Sequence, residues 1–211
     1  MGRTVDVREK VSRLPTYSGE LGLDLRKAAD RFKWFLASIL FAKRISSEIA
    51  KRTYREFGKR GIVTAESIIE TGWDKLVEIL DSGGYVRYDF STASNLLQMA
   101  NSLKQKYGSL EDLYAQVKDS DDLEKRLLES KGVGPTTVNI FLRELKTVWA
   151  KARPKLSPLA GEVASKIGLS NTDTNLPGLE SALVRLSLEF CKRRRCSGCS
   201  VKAECQEAKA P

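Results

Sequence analysis

Four cysteines, Cys191, Cys196, Cys199 and Cys205, crowd the end of the chain with the spacing C-x4-C-x2-C-x5-C. The chain contains 0 histidines, which excludes histidine zinc ligands, Ser-His and Cys-His nucleophile pairs and imidazole acid–base chemistry. Any catalysis must use Lys, Asp, Glu, Tyr or Ser, or a metal centre with other ligands. Four thiols this close in a reducing compartment are poor disulfide candidates, so the pattern points to a metal. An all-cysteine zinc site usually draws on two separated Cys-x-x-Cys knuckles. Here a single such pair exists, with the other two ligands close on either side. One compact loop of this kind suits a cubane [4Fe-4S] cluster, four thiolates around one small object. Zinc is the alternative metal, and oxidised cysteines without metal are the plain alternative.

The second chemical feature runs through Leu127-Leu128-Glu129-Ser130-Lys131-Gly132-Val133-Gly134-Pro135-Thr136-Thr137-Val138-Asn139. One helix ends, the chain turns through two glycines around an apolar residue, and a new helix starts at Pro135. The glycines permit positive φ and close backbone approach. The first amides of the new helix point outward with the positive end of its dipole behind them, so they can hold a phosphate without reading sequence. Lys131, Gly132, Val133, Gly134, Thr136 and Thr137 are therefore candidate DNA contacts. The packing alternative is a tight helix–helix corner with Val133 as a core plug. Between the first two cysteines lies Lys192-Arg193-Arg194-Arg195, with Lys202 in the last interval. A basic run is ordinarily a solvated face; on a cluster loop it becomes a positive knob suited to a phosphate backbone.

These features sit in a chain of 211 residues with 36 Lys+Arg against 27 Asp+Glu, a net charge of +9. That excess suggests a polyanionic partner, most simply nucleic acid. At 41% hydrophobic and 30% charged, the composition excludes wholesale disorder. The most apolar stretch, 34–42, is too short to span a bilayer, and MGRTVDVREK lacks the apolar core of a secretory signal. No membrane association and a cytoplasmic location (nucleoid-associated in a prokaryote) are expected.

Apolar residues recur at helical spacing nearly everywhere: Phe32, Phe35, Leu36, Ile39 and Leu40, then stretches near 45–58, 65–81, 90–107, 109–118, 121–130, 135–149, 158–167 and 176–191. Asp89, Ser109 and Ser157-Pro158 read as helix starts, and Gly58, Gly108 and Gly168 as stops. No useful segment alternates with period two, so the fold class is all-α. Segments 151–157 and 170–177 read as linkers.

A glycine hairpin between helices, followed by a C-terminal four-cysteine loop, resembles the endonuclease III-like branch of the helix-hairpin-helix DNA glycosylase superfamily. The resemblance covers most of the chain. Residues 30–43 (DRFKWFLASILFAK) look like that family's early core helix, Gly84-Tyr85-Val86-Arg87 its glycine–aromatic turn, and 163–169 (VASKIGL) the helix beyond its catalytic aspartate. The resemblance implies a helical barrel domain over 28–149, with the helix-hairpin-helix at about 121–149. It also implies an iron–sulfur domain from both chain ends (1–27 and 150–211), with DNA bound across the cleft between them. It adds Lys43, Tyr85 and Arg87 to the DNA-contacting set, and implies a monomer that binds damaged or mismatched double-stranded DNA.

The chain departs from that family where the chemistry lies. Thr136 occupies the position of the lysine that forms a Schiff base in bifunctional members, so lyase chemistry is not expected. Ser157 occupies the position of the catalytic aspartate, and a neutral hydroxyl does not offset developing positive charge as a carboxylate does. Two carboxylates are candidate substitutes. Glu162 lies five residues, roughly 140°, around the helix from Ser157. Asp89 follows the Tyr85 turn, with N-capping as its bland role. Lys43 stands where the family has a glutamine that fills the gap left by a flipped base. Two functions follow: a monofunctional or atypical base-excision glycosylase, or a non-catalytic iron–sulfur protein that recognises lesions or DNA structure.

Overall fold

The computed structural model describes residues 2–170, 176 and 178–209. Every regular element among them is helical, with no strand, and no helix is long and apolar enough to cross a membrane. Most of the second expected linker, 170–177, lies outside the described residues. The chain forms two compact units, one from 21–154 and one from 1–20 together with 155–211.

The larger unit is organised by α3 (Ala28–Phe41), whose residues 34–40 are all buried. Its apolar residues surround the axis rather than forming one stripe, which marks a helix packed on all sides. Trp34 donates its indole N–H to the Phe141 carbonyl at 3.2 Å, so the bulkiest core ring also leaves no orphan donor. Arg31 reaches Glu111 through Nε and Nη2, both at 2.7 Å, and its Nη1 donates to the carbonyls of Leu25 and Arg26 at 2.9 Å. That clamp holds the segment before α3 against the same unit.

The helices around α3 start where polar side chains can satisfy first-turn amides. Ser46 accepts from Ile49 N ahead of α4 (Ser47–Lys59), and Thr64 and Ser67 form a reciprocal capping box at α5 (Ala65–Ser82). Ser109 caps α7 (Leu110–Gln116), and Asp119 caps α8 (Ser120–Leu128). Asp89 is not the cap of its helix: α6 (Asp89–Lys106) begins at Asp89, with Tyr88 in the cap position. Gly58 does not end α4 either; the chain leaves the helix through Gly61, at φ 70°. The stretch 65–81 is interrupted at Gly72 (φ 74°, ψ 170°), so α5 is two helical pieces joined at a bend. α9 (Pro135–Leu145) stops short of 149, and Trp149 folds back to stack on Tyr114 at 4.2 Å between centroids.

The smaller unit contains α1 (Gly2–Ser12), α2 (Tyr17–Glu20), α10 (Pro158–Lys166) and α11 (Leu179–Leu186), followed by a π-helical turn at Ser187–Cys191. Val7 and Val11, one turn apart, pack with Val163, Leu183 and Val201 in its core. Arg185 is almost fully buried there. It lies 4.5 Å over the Tyr17 ring and pairs with Glu20 at 2.5 Å and Glu189 at 3.0 Å, while Nη1 donates to the Pro15 carbonyl. A buried guanidinium so fully surrounded ties the N-terminal segment to the helix that leads into the cysteines.

Candidate nucleic-acid interface and cysteine loop

In the larger unit, α8 and α9 are joined by the turn that carries the two glycines. The Val133 amide donates to Ser130 O at 3.0 Å, and Val133 is 5% exposed, so its side chain is the plug of the corner rather than a surface contact. The two glycines serve different purposes. Gly132 has φ 80°, and a Cβ there would meet Asn95 Cβ of α6 at 2.5 Å. Gly134 is extended (φ −102°, ψ 178°) and has open space around it. Positive φ, expected of both, is confined to Gly132. Gly134 is instead the N-cap of α9 and contributes no side-chain cap. Val138 N is the first amide of α9 to donate within the helix, to Gly134 O at 3.0 Å, and Pro135 has no N–H. The Thr136 and Thr137 amides therefore stand at the helix N-terminus without an intrahelical acceptor. Lys131 and Thr136 are exposed, whereas the Thr137 side chain is buried.

A second basic surface of this unit surrounds the turn at Gly83-Gly84. Arg52 Nε donates to Gly83 O at 2.7 Å, and a Cβ on Gly84 (φ 86°) would strike the Arg52 guanidinium. Tyr85 is 1% exposed and donates its hydroxyl to Leu40 O at 2.9 Å; burial raises its pKa well above the usual phenol range. Tyr85 is thus a core residue that fixes the turn, its ring shielded from solvent. Arg87 is exposed, with Cζ 5.5 Å from the Tyr88 ring, and Lys43 Nζ lies 6.0 Å from the same ring.

The two candidate carboxylates are engaged. Asp89 is 8% exposed, and its Oδ1 accepts from Phe90 N at 2.7 Å. Desolvation raises the neighbouring Asp81 carboxyl above its usual range, with the Asp89 carboxylate adding through a hydrogen bond and its charge. Glu162, in the smaller unit, is exposed and pairs with Lys166 at 2.6 Å, which lowers its pKa.

At α10, Ser157 is the N-cap residue, but its hydroxyl makes no cap hydrogen bond. Its own amide donates to Glu180 Oε1 at 3.0 Å, and Glu180 is 2% exposed. A carboxylate therefore stands at the start of α10, delivered through space from α11. Nothing in the local pattern around Ser157 signals it.

The cysteine loop begins within the π-helical turn, where Lys192 N reaches back to Ser187 O at 2.9 Å. The short interval to Cys196 then requires Arg194 to adopt φ 52°, the one positive φ on a non-glycine among the described residues. Cys191, Cys199 and Cys205 are half-buried against the core that holds Val201, and Cys196 is exposed. Burial raises the Cys191 and Cys199 thiols, and neighbouring thiols of the loop push the same way; at Cys191 the Lys166 ammonium opposes this. The four thiols lie within electrostatic range of one another and are metal donors in kind; the positive charge of a bound metal would favour their ionised forms. Among the described residues, no group of three or more Cys, Asp or Glu side chains is drawn together at metal-ligating spacing. Lys192, Arg193, Arg194 and Arg195 are all exposed.

No protein-family model matches the chain, and no curated protein is similar enough to match it.

Proposed function

We propose that this chain is a DNA-binding protein of the endonuclease III-like glycosylase type that engages damaged or mismatched duplex DNA. In this reading the larger unit is the helical barrel, and α8, the turn and α9 are its helix-hairpin-helix. The smaller unit is the iron–sulfur domain. The observation that carries the reading is the hairpin: a left-handed Gly132 seated on Asn95, a bare Gly134 cap and the uncapped Thr136 and Thr137 amides beside exposed Lys131. Such a turn receives one backbone phosphate on main-chain donors. Lys43 and Arg87 add charge on the same unit, and Lys192, Arg193, Arg194 and Arg195 on the other.

Cys191, Cys196, Cys199 and Cys205 would hold a [4Fe-4S] cluster, with zinc as the alternative. When bound, the cluster supplies a rigid four-way cross-link and one-electron redox chemistry. The chain's own part is to fix the basic run: the π-helical turn and left-handed Arg194 set the path of residues 192–195.

Schiff-base lyase chemistry is absent in this reading, because Thr136 has no amine. Base excision needs a carboxylate at the reacting sugar. The second reading, recognition without excision, is favoured by the engagement of all three carboxylates considered: Glu162 by Lys166, Asp89 by its buried setting, and Glu180 by the Ser157 amide. The test is incubation with duplexes carrying a panel of altered or mismatched bases, followed by hot alkali to reveal abasic sites. Selective binding is expected throughout the panel's best ligands. Strand breaks after alkali assign the glycosylase reading, and binding without breaks assigns the recognition protein. Absence of duplex binding at low salt overturns both.

A further inference from the structure

Two of the three tryptophans, Trp34 and Trp149, are buried at 0% and 3% exposure, whereas Trp73 is 40% exposed and Phe90 60%. The rings of Trp73 and Phe90 are stacked, with centroids 5.5 Å apart and planes 24° from parallel. Leaving two large aromatics in water forgoes burial energy, so a contiguous pair of this kind is an informative surface feature.

The pair is held in place. Gly72, at φ 74°, bends α5 immediately before Trp73. The Trp73 indole N–H donates to Ser94 Oγ at 2.9 Å, and Ser94 Oγ donates in turn to the Phe90 carbonyl at 2.9 Å. The two rings are therefore linked through Ser94 on α6, the helix that also carries Asn95 beneath the glycine hairpin. Two residues before Phe90 stands Tyr88, with Arg87 Cζ 5.5 Å and Lys43 Nζ 6.0 Å from its ring.

We infer that Trp73 and Phe90 form a stacking platform for unpaired bases of single-stranded DNA, with Arg87 and Lys43 receiving the adjoining phosphates. Duplex bases present only their edges, so the exposed ring faces fit bases that have left the stack. Fixed aromatic faces on the segment that also carries Arg87, with Lys43 sharing its Tyr88 ring, match a ligand that alternates π-faces with negative charge, a complementarity that an apolar protein partner lacks. This inference rests on the proposed DNA-binding reading and extends it to the state of the DNA.

The test uses the full chain and a fluorescent 12-nucleotide oligo(dT), with an intact duplex as the parallel ligand. Because Trp73 is the exposed indole, base stacking should quench the emission that acrylamide also reaches. Phe90→Ala and Trp73→Ala should each weaken oligo(dT) binding by about 5- to 150-fold, whereas Phe90→Tyr and Trp73→Phe should retain it. Arg87→Ala should lower the salt slope by about 1. Duplex binding by Phe90→Ala should match wild type. If oligo(dT) binds without quenching and Phe90→Ala binds it normally while duplex binding persists, the platform is overturned and the DNA-binding reading stands. If wild type binds neither ligand, the DNA-binding reading itself fails. A concentration-dependent dimer in sedimentation that Phe90→Ala dissolves would assign the patch to a protein interface and overturn the proposal.

Discussion

The two hairpin glycines should respond in opposite ways to the same added methyl. At Gly132, alanine would have to adopt φ 80°, which costs a non-glycine residue about 1–2 kcal/mol. Its Cβ would also stand 2.5 Å from Asn95 Cβ, closer than carbon atoms pack, so the turn or α6 must shift. Overpacking of that kind costs about 1–3 kcal/mol, and the two contributions together reach about 2–5 kcal/mol. For a protein of this size, Gly132→Ala should lower the melting temperature by about 10 °C. At Gly134 the backbone is extended and the space is open, so alanine should change stability by less than about 1 kcal/mol. Its methyl would stand in open space at the start of the helix that carries the Thr136 and Thr137 amides, where a bound phosphate would have to pass it. Losing one charge-assisted phosphate contact there should weaken duplex binding about tenfold. Thermal unfolding by circular dichroism, paired with duplex binding by anisotropy, separates the two effects. The reasoning is refuted if Gly132→Ala melts within about 2 °C of wild type, or if Gly134→Ala is the less stable variant.

Other consequences follow from the same contacts. Glu180→Ala leaves the half-buried Ser157 amide without its acceptor and should cost about 1–2 kcal/mol in urea unfolding, with little loss expected from Glu162→Ala on the exposed face of α10. Glu111→Ala strands the Arg31 guanidinium, whose side chain is 10% exposed; a loss of about 2 kcal/mol is expected, and a loss under about 0.5 kcal/mol would show that the carbonyls of Leu25 and Arg26 satisfy it alone. Protein purified without oxygen should be brown, with broad absorbance near roughly 400 nm and iron and sulfide in equal amounts, and Cys199→Ser should lose it. A colourless preparation containing stoichiometric zinc would replace the cluster with the alternative metal.

The helical class was legible because apolar spacing is a local property: Phe32, Phe35, Leu36, Ile39 and Leu40 predict a buried helix, and α3 buries all of them but the half-buried Phe32. Ser109 was readable as a cap for the same reason, its acceptor and donor being three residues apart. Features that depend on remote contacts were not. Val7 and Val11 carry a one-turn apolar spacing, yet α1 is hard to separate from a charged tail until Val163 and Leu183 are seen against it. The bend at Gly72 and the exit at Gly61, rather than Gly58, turn on backbone angles that a glycine permits but does not announce. Ser157 looks like a cap from its neighbours, but Glu180 takes the amide from another helix. Tyr85 illustrates the limit of reading a turn for function: an aromatic after Gly84 suggests a surface contact, and its hydroxyl is spent on Leu40 inside the core.

The proposed contacts of the hairpin and of the basic loop with a phosphate backbone are measured most directly by the salt dependence of duplex affinity. Anisotropy between 50 and 200 mM salt should give a linear fall of log K against log [salt], with a slope near −4 or steeper if about five phosphates are neutralised. Lys131→Ala should reduce the slope by about 1, and the triple change Arg193→Ala, Arg194→Ala, Arg195→Ala by about 2–3. An affinity independent of salt, or one that these substitutions leave unchanged, would contradict the account.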